Sequence, residues 1–77
     1  MNEYNERFGI AVAYIKYKGI AKSQGEIAQR CGILPSMLSM VLKGDRHPSI
    51  DLMRRLCENY PIDLMWLCTG DGEMIKK

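Results

Sequence analysis

The stretch from Ser23 to Lys43, SQGEIAQRCGILPSMLSMVLK, leaves this chain few ways to fold, because it writes two short helices joined by a tight turn. Ser23 and Glu26 have the S-x-x-E form of a capping box, whose hydroxyl and carboxylate satisfy free N–H groups at a helix start. A helix therefore begins near Gln24. Ile27, Ala28 and Cys31 give it one apolar face, and Gly32 supplies the left-handed residue that commonly ends a helix. Pro35 suits the first position of the next helix, where its missing N–H is no loss; Leu38, Val41 and Leu42 form the buried side, and Gly44 stops it. Two helices this short are unstable alone, so they must share a core with the rest of the chain.

The flanking sequence supplies that core. Phe8, Ala11, Val12 and Ile15 recur at i, i+3, i+4 and i+7, which predicts a first helix from about Glu3 to Lys18, ended by Gly19. Ile20 is expected to tuck under the turn that follows. Ser49 is a good N-cap for a fourth helix over Ile50 to Asn59, with Leu52, Met53 and Leu56 facing inward and Pro61 marking the stop. Asp63 caps a fifth helix, Leu64 to Cys68, closed by Gly70, and the Trp66 ring is expected to close the core at this end. Residues 71–77 read as a turn with a loosely held tail. There is no strand pattern, repeat or low-complexity segment. The expectation is an all-α, compact bundle of five short helices forming a single domain over residues 1–77, with 47% hydrophobic content to fill one core.

Cysteine count and charge narrow the chemistry. Cys31, Cys57 and Cys68 are odd in number and lack C-x-x-C spacing, which argues against a disulfide framework and a zinc site; each reads as a small buried hydrophobe. The lone histidine, His47, lies between Arg46 and Pro48 in a loop, as a surface or phosphate contact. No run of about 18 apolar residues predicts a membrane span, and Met-Asn-Glu-Tyr-Asn-Glu-Arg lacks a basic-then-apolar signal layout, so a cytoplasmic protein is expected. The net charge is only +2, yet residues 16–55 hold eight basic side chains against three acidic ones. Positive charge thus surrounds the two-helix motif, where it can meet phosphates. No paired acid and base, no nucleophile with a histidine and no glycine-rich phosphate loop is present, so an enzyme is not expected, nor a cofactor, metal or small-molecule substrate.

Gln24, Ala28, Gly32 and Ile33 stand where the phage-repressor and Cro type of helix-turn-helix, the xenobiotic-response-element family of bacterial regulators, places the Gln, Ala, Gly and following apolar residue of its motif. The chain resembles that family further. Gly44-Asp45-Arg46-His47-Pro48-Ser49 looks like the loop after its recognition helix, and Trp66-Leu67-Cys68-Thr69-Gly70-Asp71-Gly72 is similar to its W-L-L-T-G-x-G ending. The resemblance covers roughly Glu6 through Met74 and implies a lambda-repressor-like DNA-binding domain, with the motif at about residues 23–43.

What the resemblance implies is a transcriptional regulator, a repressor of phage or mobile-element type, that places the helix over residues 35–43 in the major groove of double-stranded DNA. The positions facing DNA are then Pro35, Ser36, Met37, Ser39, Met40 and Lys43, with Gln24 holding a phosphate and Arg46 and His47 added from the loop. Met37 and Met40 stand where family members usually carry polar residues; they can touch thymine methyl groups but cannot read donors and acceptors, which predicts low specificity or a preference for A·T-rich sites. Leu34 is a poor cap where the family often has Ser or Thr. A second apolar set, Ile10, Ala13, Tyr14 and Tyr17, is rotated away from the core stripe and is expected to form a homodimer interface. The alternative is a protein-interaction module, an antirepressor or assembly domain, that uses Met37, Met40 and the Ile10 to Tyr17 face to bind protein.

Overall fold

The computed structural model describes residues 3–76. Five helices follow in the expected order: α1 (Glu3–Tyr17), α2 (Gln24–Cys31), α3 (Pro35–Lys43), α4 (Ile50–Asn59) and α5 (Leu64–Thr69). They share one hydrophobic core. Phe8, Ala11, Val12 and Ile15 of α1 meet Ile27, Ala28 and Cys31 of α2, Leu38 and Val41 of α3, Leu52, Met53, Leu56 and Cys57 of α4, and Leu67 of α5. Trp66 is half-buried and packs against this cluster.

Local chemistry sets the helix starts. Ser23 Oγ accepts the Glu26 amide at 3.2 Å, while the Glu26 carboxylate reaches back to the Lys22 amide at 2.8 Å, one residue before the amide used in the usual box. Ser49 accepts the Leu52 amide at 3.0 Å, and Asp63 accepts the Trp66 amide at 3.0 Å. Only α3, among these four, starts without a side-chain cap: its N-cap is Leu34, followed by Pro35 at the first helical position.

Some local expectations need correcting or refining. Ile20 does not tuck under the turn: it is 44% exposed, and its neighbour Ala21 fills the core instead. The amides of Ile20 and Ala21 both turn toward the Ile15 carbonyl, which swings Ala21 inward. Leu42 packs against the core as expected but stays half-buried, so the fully buried part of α3 is Leu38 and Val41. The chain after Gly72 also returns to the bundle. Asp63 donates its amide to Met74 at 2.8 Å, Lys76 donates its amide to Pro61 at 3.0 Å, and the Lys76 ammonium reaches the Cys57 carbonyl at 2.8 Å. Ile62 and Ile75 thereby form an isolated bridge, too short to count as a strand.

Candidate nucleic-acid interface

The helix-turn-helix is held rigid from three sides. Gly32 takes φ +71°, and its amide with that of Ile33 closes onto Gln29 and Ala28, so the chain reverses within three residues. Behind the turn, the Arg55 guanidinium donates to the Cys31 carbonyl at 3.0 Å while its Nε pairs with Asp51 at 3.0 Å. This supplies positive charge to the C-terminal end of α2, where unpaired carbonyls favour it. The far end of α3 is fixed by Asn5. That residue stands on the core stripe of α1, is only 1% exposed, and donates to the Val41 carbonyl at 2.9 Å and the Arg46 carbonyl at 2.8 Å.

With α3 anchored through Leu38 and Val41, its opposite side faces out. Ser36, Met40 and Lys43 fall at i, i+4 and i+7 on that side, with Ser39 half-buried beside them and Pro35 exposed at the helix start. Met40 is 37% exposed. Met37 departs from the expected outward set: it is half-buried and lines a groove of about 270 Å³ shared with Ile33, Val41, Leu52 and the charged Arg46, Asp51 and Arg55. Rotated about 100° per residue from Ser36, it lies between the outer and inner faces. Gln24 is half-buried at the start of α2, and Arg46 and His47 are exposed in the loop after α3. The His47 Nδ1 lies 3.2 Å from Asn5 Oδ1, an acceptor only, so Nδ1 carries the proton in this contact.

The basic residues divide into two groups. Arg54 is engaged by Asp51 and Glu58, which raise its pKa, and Arg55 is held by Asp51 and the α2 carbonyl. The Lys18 ammonium lies 5.9 Å from the centre of the Tyr14 ring. Lys43 and Arg46, by contrast, are exposed and form no ion pair among the described residues, and α3 contains no acidic side chain. Free positive charge is thus placed at the end of the outward face of α3.

On α1, Ile10, Ala13 and Tyr17 are exposed, Tyr17 to 85%. Tyr14 does not join them fully: it is half-buried and packs against the core. Its position three residues after Ala11 brings it to the edge of the core stripe.

Sequence reasoning missed Asn5, Arg7 and Arg55 as positioning groups. Asn5 was detectable as the polar member of the stripe Asn5, Phe8, Val12, Ile15; the two arginines were not, because their targets are backbone carbonyls far along the chain. Arg7 donates to the Leu67 and Cys68 carbonyls at 3.0 Å each. No cluster of metal-ligating side chains and no helix long and apolar enough to cross a membrane occurs among the described residues.

The helix-turn-helix family model matches residues 21–67, which spans α2 through most of α5 and includes the outward face of α3. No curated protein and no solved structure matches the chain. That family is one of DNA-binding proteins rather than enzymes. On the match and on the geometry of its turn, this chain belongs to the Cro/C1-type helix-turn-helix family of DNA-binding regulators.

Proposed function

We propose that the protein is a transcriptional repressor of phage or mobile-element type, which acts by occupying an operator with α3 seated in the major groove. The observation that carries this reading is the acid-free α3, whose outward stripe of Ser36, Met40 and Lys43 leads into the loop bearing Arg46, with neither cation in an ion pair among the described residues. In this docking, Pro35, Ser36, Ser39 and Met40 approach base edges, and Lys43, Arg46 and His47 approach the backbone. Gln24 and the free amides of the first turn of α2 take a phosphate. Two copies joined through Ile10, Ala13 and Tyr17 would set their recognition helices about 34 Å apart for a two-fold symmetric site.

Affinity for random and A·T-rich duplex, followed against salt, tests the proposal. The logarithm of the binding constant should fall with log salt at a slope of about −0.9 per phosphate neutralised, and Lys43→Ala or Arg46→Ala should each make it shallower by about one contact. Arg54→Ala should not, because its guanidinium is committed to Asp51 and Glu58. Absence of duplex binding at low salt would leave the protein-interaction module as the reading.

A further inference from the structure

Leu34 is an exposed apolar residue at a position where helix chemistry favours a polar one. As N-cap of α3 it makes no cap hydrogen bond, although Ser or Asn there would satisfy a free amide. Nor does it serve the core, being 67% exposed. The other three capped helix starts carry Ser23, Ser49 and Asp63, each bonded to its helix. A residue that breaks a local rule with no gain inside the fold marks a place where something outside it is met. Its position names the partner's side: it stands at the N-terminal end of α3, the end that reaches base edges in this docking.

Resting on the DNA-binding reading above, we propose that Leu34 and Met40 form an apolar reader of thymine C5-methyl groups in the major groove, with Met37 taking no part. Leu34 lies at the leading tip of α3 and Met40 along its outward face, while Met37 lines the groove beside α4. The major groove offers one apolar feature, the methyl of thymine, and hydrocarbon side chains recognise it by removing it from water. Charge decides for DNA over a protein partner. The apolar tip sits on a helix without acidic residues and leads to Lys43 and Arg46, which form no ion pair among the described residues; this suits a polyanion carrying methyl groups in its groove.

The test replaces thymidine by deoxyuridine, which removes the methyl and keeps every base-pairing group. Duplexes bound by the full chain are selected from a random pool, then remade with uracil at each thymine in turn. The unaltered protein should lose about four-fold in affinity at each methyl it touches, the equivalent of about 0.8 kcal/mol per buried carbon group. Leu34→Ser should raise the thermal midpoint by capping α3, yet bind the thymine and uracil forms equally at one of these positions; Met40→Gln should do so at another. The salt slope should stay unchanged in both. Equal affinity of the unaltered protein for thymine and uracil duplexes overturns the proposal and leaves DNA binding intact, as does undiminished methyl dependence in both variants. Selection that recovers no duplex at low salt overturns the DNA-binding reading itself. The uracil comparison on the unaltered protein needs no variant to fold.

Discussion

The side-chain amide of Asn5 donates to the Val41 carbonyl at 2.9 Å, joining the first turn of α1 to the last turn of α3 across 36 positions of sequence. The second amide hydrogen goes to the Arg46 carbonyl, so one buried group sets both the end of α3 and the loop that follows. Asn5→Leu keeps the branching of the side chain but strands two carbonyls, and should cost about 2–4 kcal/mol in urea unfolding. Asn5→Asp should be poorer still at neutral pH, because a carboxylate would face two carbonyl oxygens. Its folded-state pKa should lie above the unfolded value, so stability is retained at low pH and lost as pH rises through the folded-state pKa. An Asp variant whose stability does not improve on acidification would contradict the contact.

Gly32 and Arg55 should behave as a coupled pair. At φ +71° an alanine costs about 1–2 kcal/mol from backbone sterics alone. A Cβ there would also lie 3.0 Å from Arg55 Nη1, displacing the guanidinium from the Cys31 carbonyl. Gly32→Ala should therefore cost less in an Arg55→Ala background than alone. Urea unfolding of the four proteins of this cycle gives the coupling directly; strict additivity would mean the guanidinium yields freely.

These two contacts mark where the sequence stops being legible. Periodicity and caps located all five helices, and Ser23, Ser49 and Asp63 cap as their types predict, because those signals act over three or four residues. The outward positions Ser36, Met40 and Lys43 were legible for the same reason. Met37 was not, since its place at the margin of α3 depends on how closely α4 packs, a tertiary matter. Ile20 was expected inward where Ala21 stands, because a turn sets which of two adjacent side chains points to the core, and apolarity alone favours the larger. Asn5, Arg7 and Arg55 bind carbonyls 24 to 61 residues away, a separation no local pattern encodes.

Three buried acids give the fold an alkaline limit. Burial pushes the Cys57 thiol from 9.0 to about 11, with Lys76 opposing, and burial also raises Cys31 against Arg55 and Tyr60 against Arg30. The neutral form is the one the core favours. For Cys57 that contribution is complete below the ordinary thiol value of 9.0 and is lost as pH rises toward about 11. Denaturant unfolding across this window should show a steady fall, and Cys57→Ala should make it shallower. An identical fall in the Ala variant would place the limit elsewhere.

Tyr17 is 85% exposed at the end of α1, in register with Ile10 and Ala13 but at no contact with the core. If this face joins two copies, the two-fold axis makes the contact self-complementary, so a substitution acts twice in one interface. Tyr17→Glu would bring two carboxylates into an apolar seam and leave the monomer core untouched, since the altered side chain is in solvent. Size-exclusion chromatography should then show a dimer for the unaltered protein and a monomer for the variant, with the same helical content. The consequence for DNA follows from avidity: a duplex with two half-sites should lose affinity on the order of 10²-fold, while a single half-site should bind both proteins alike. An unaltered protein that is monomeric, or a variant that remains dimeric, would remove α1 from the assembly and place any second recognition helix under a different symmetry.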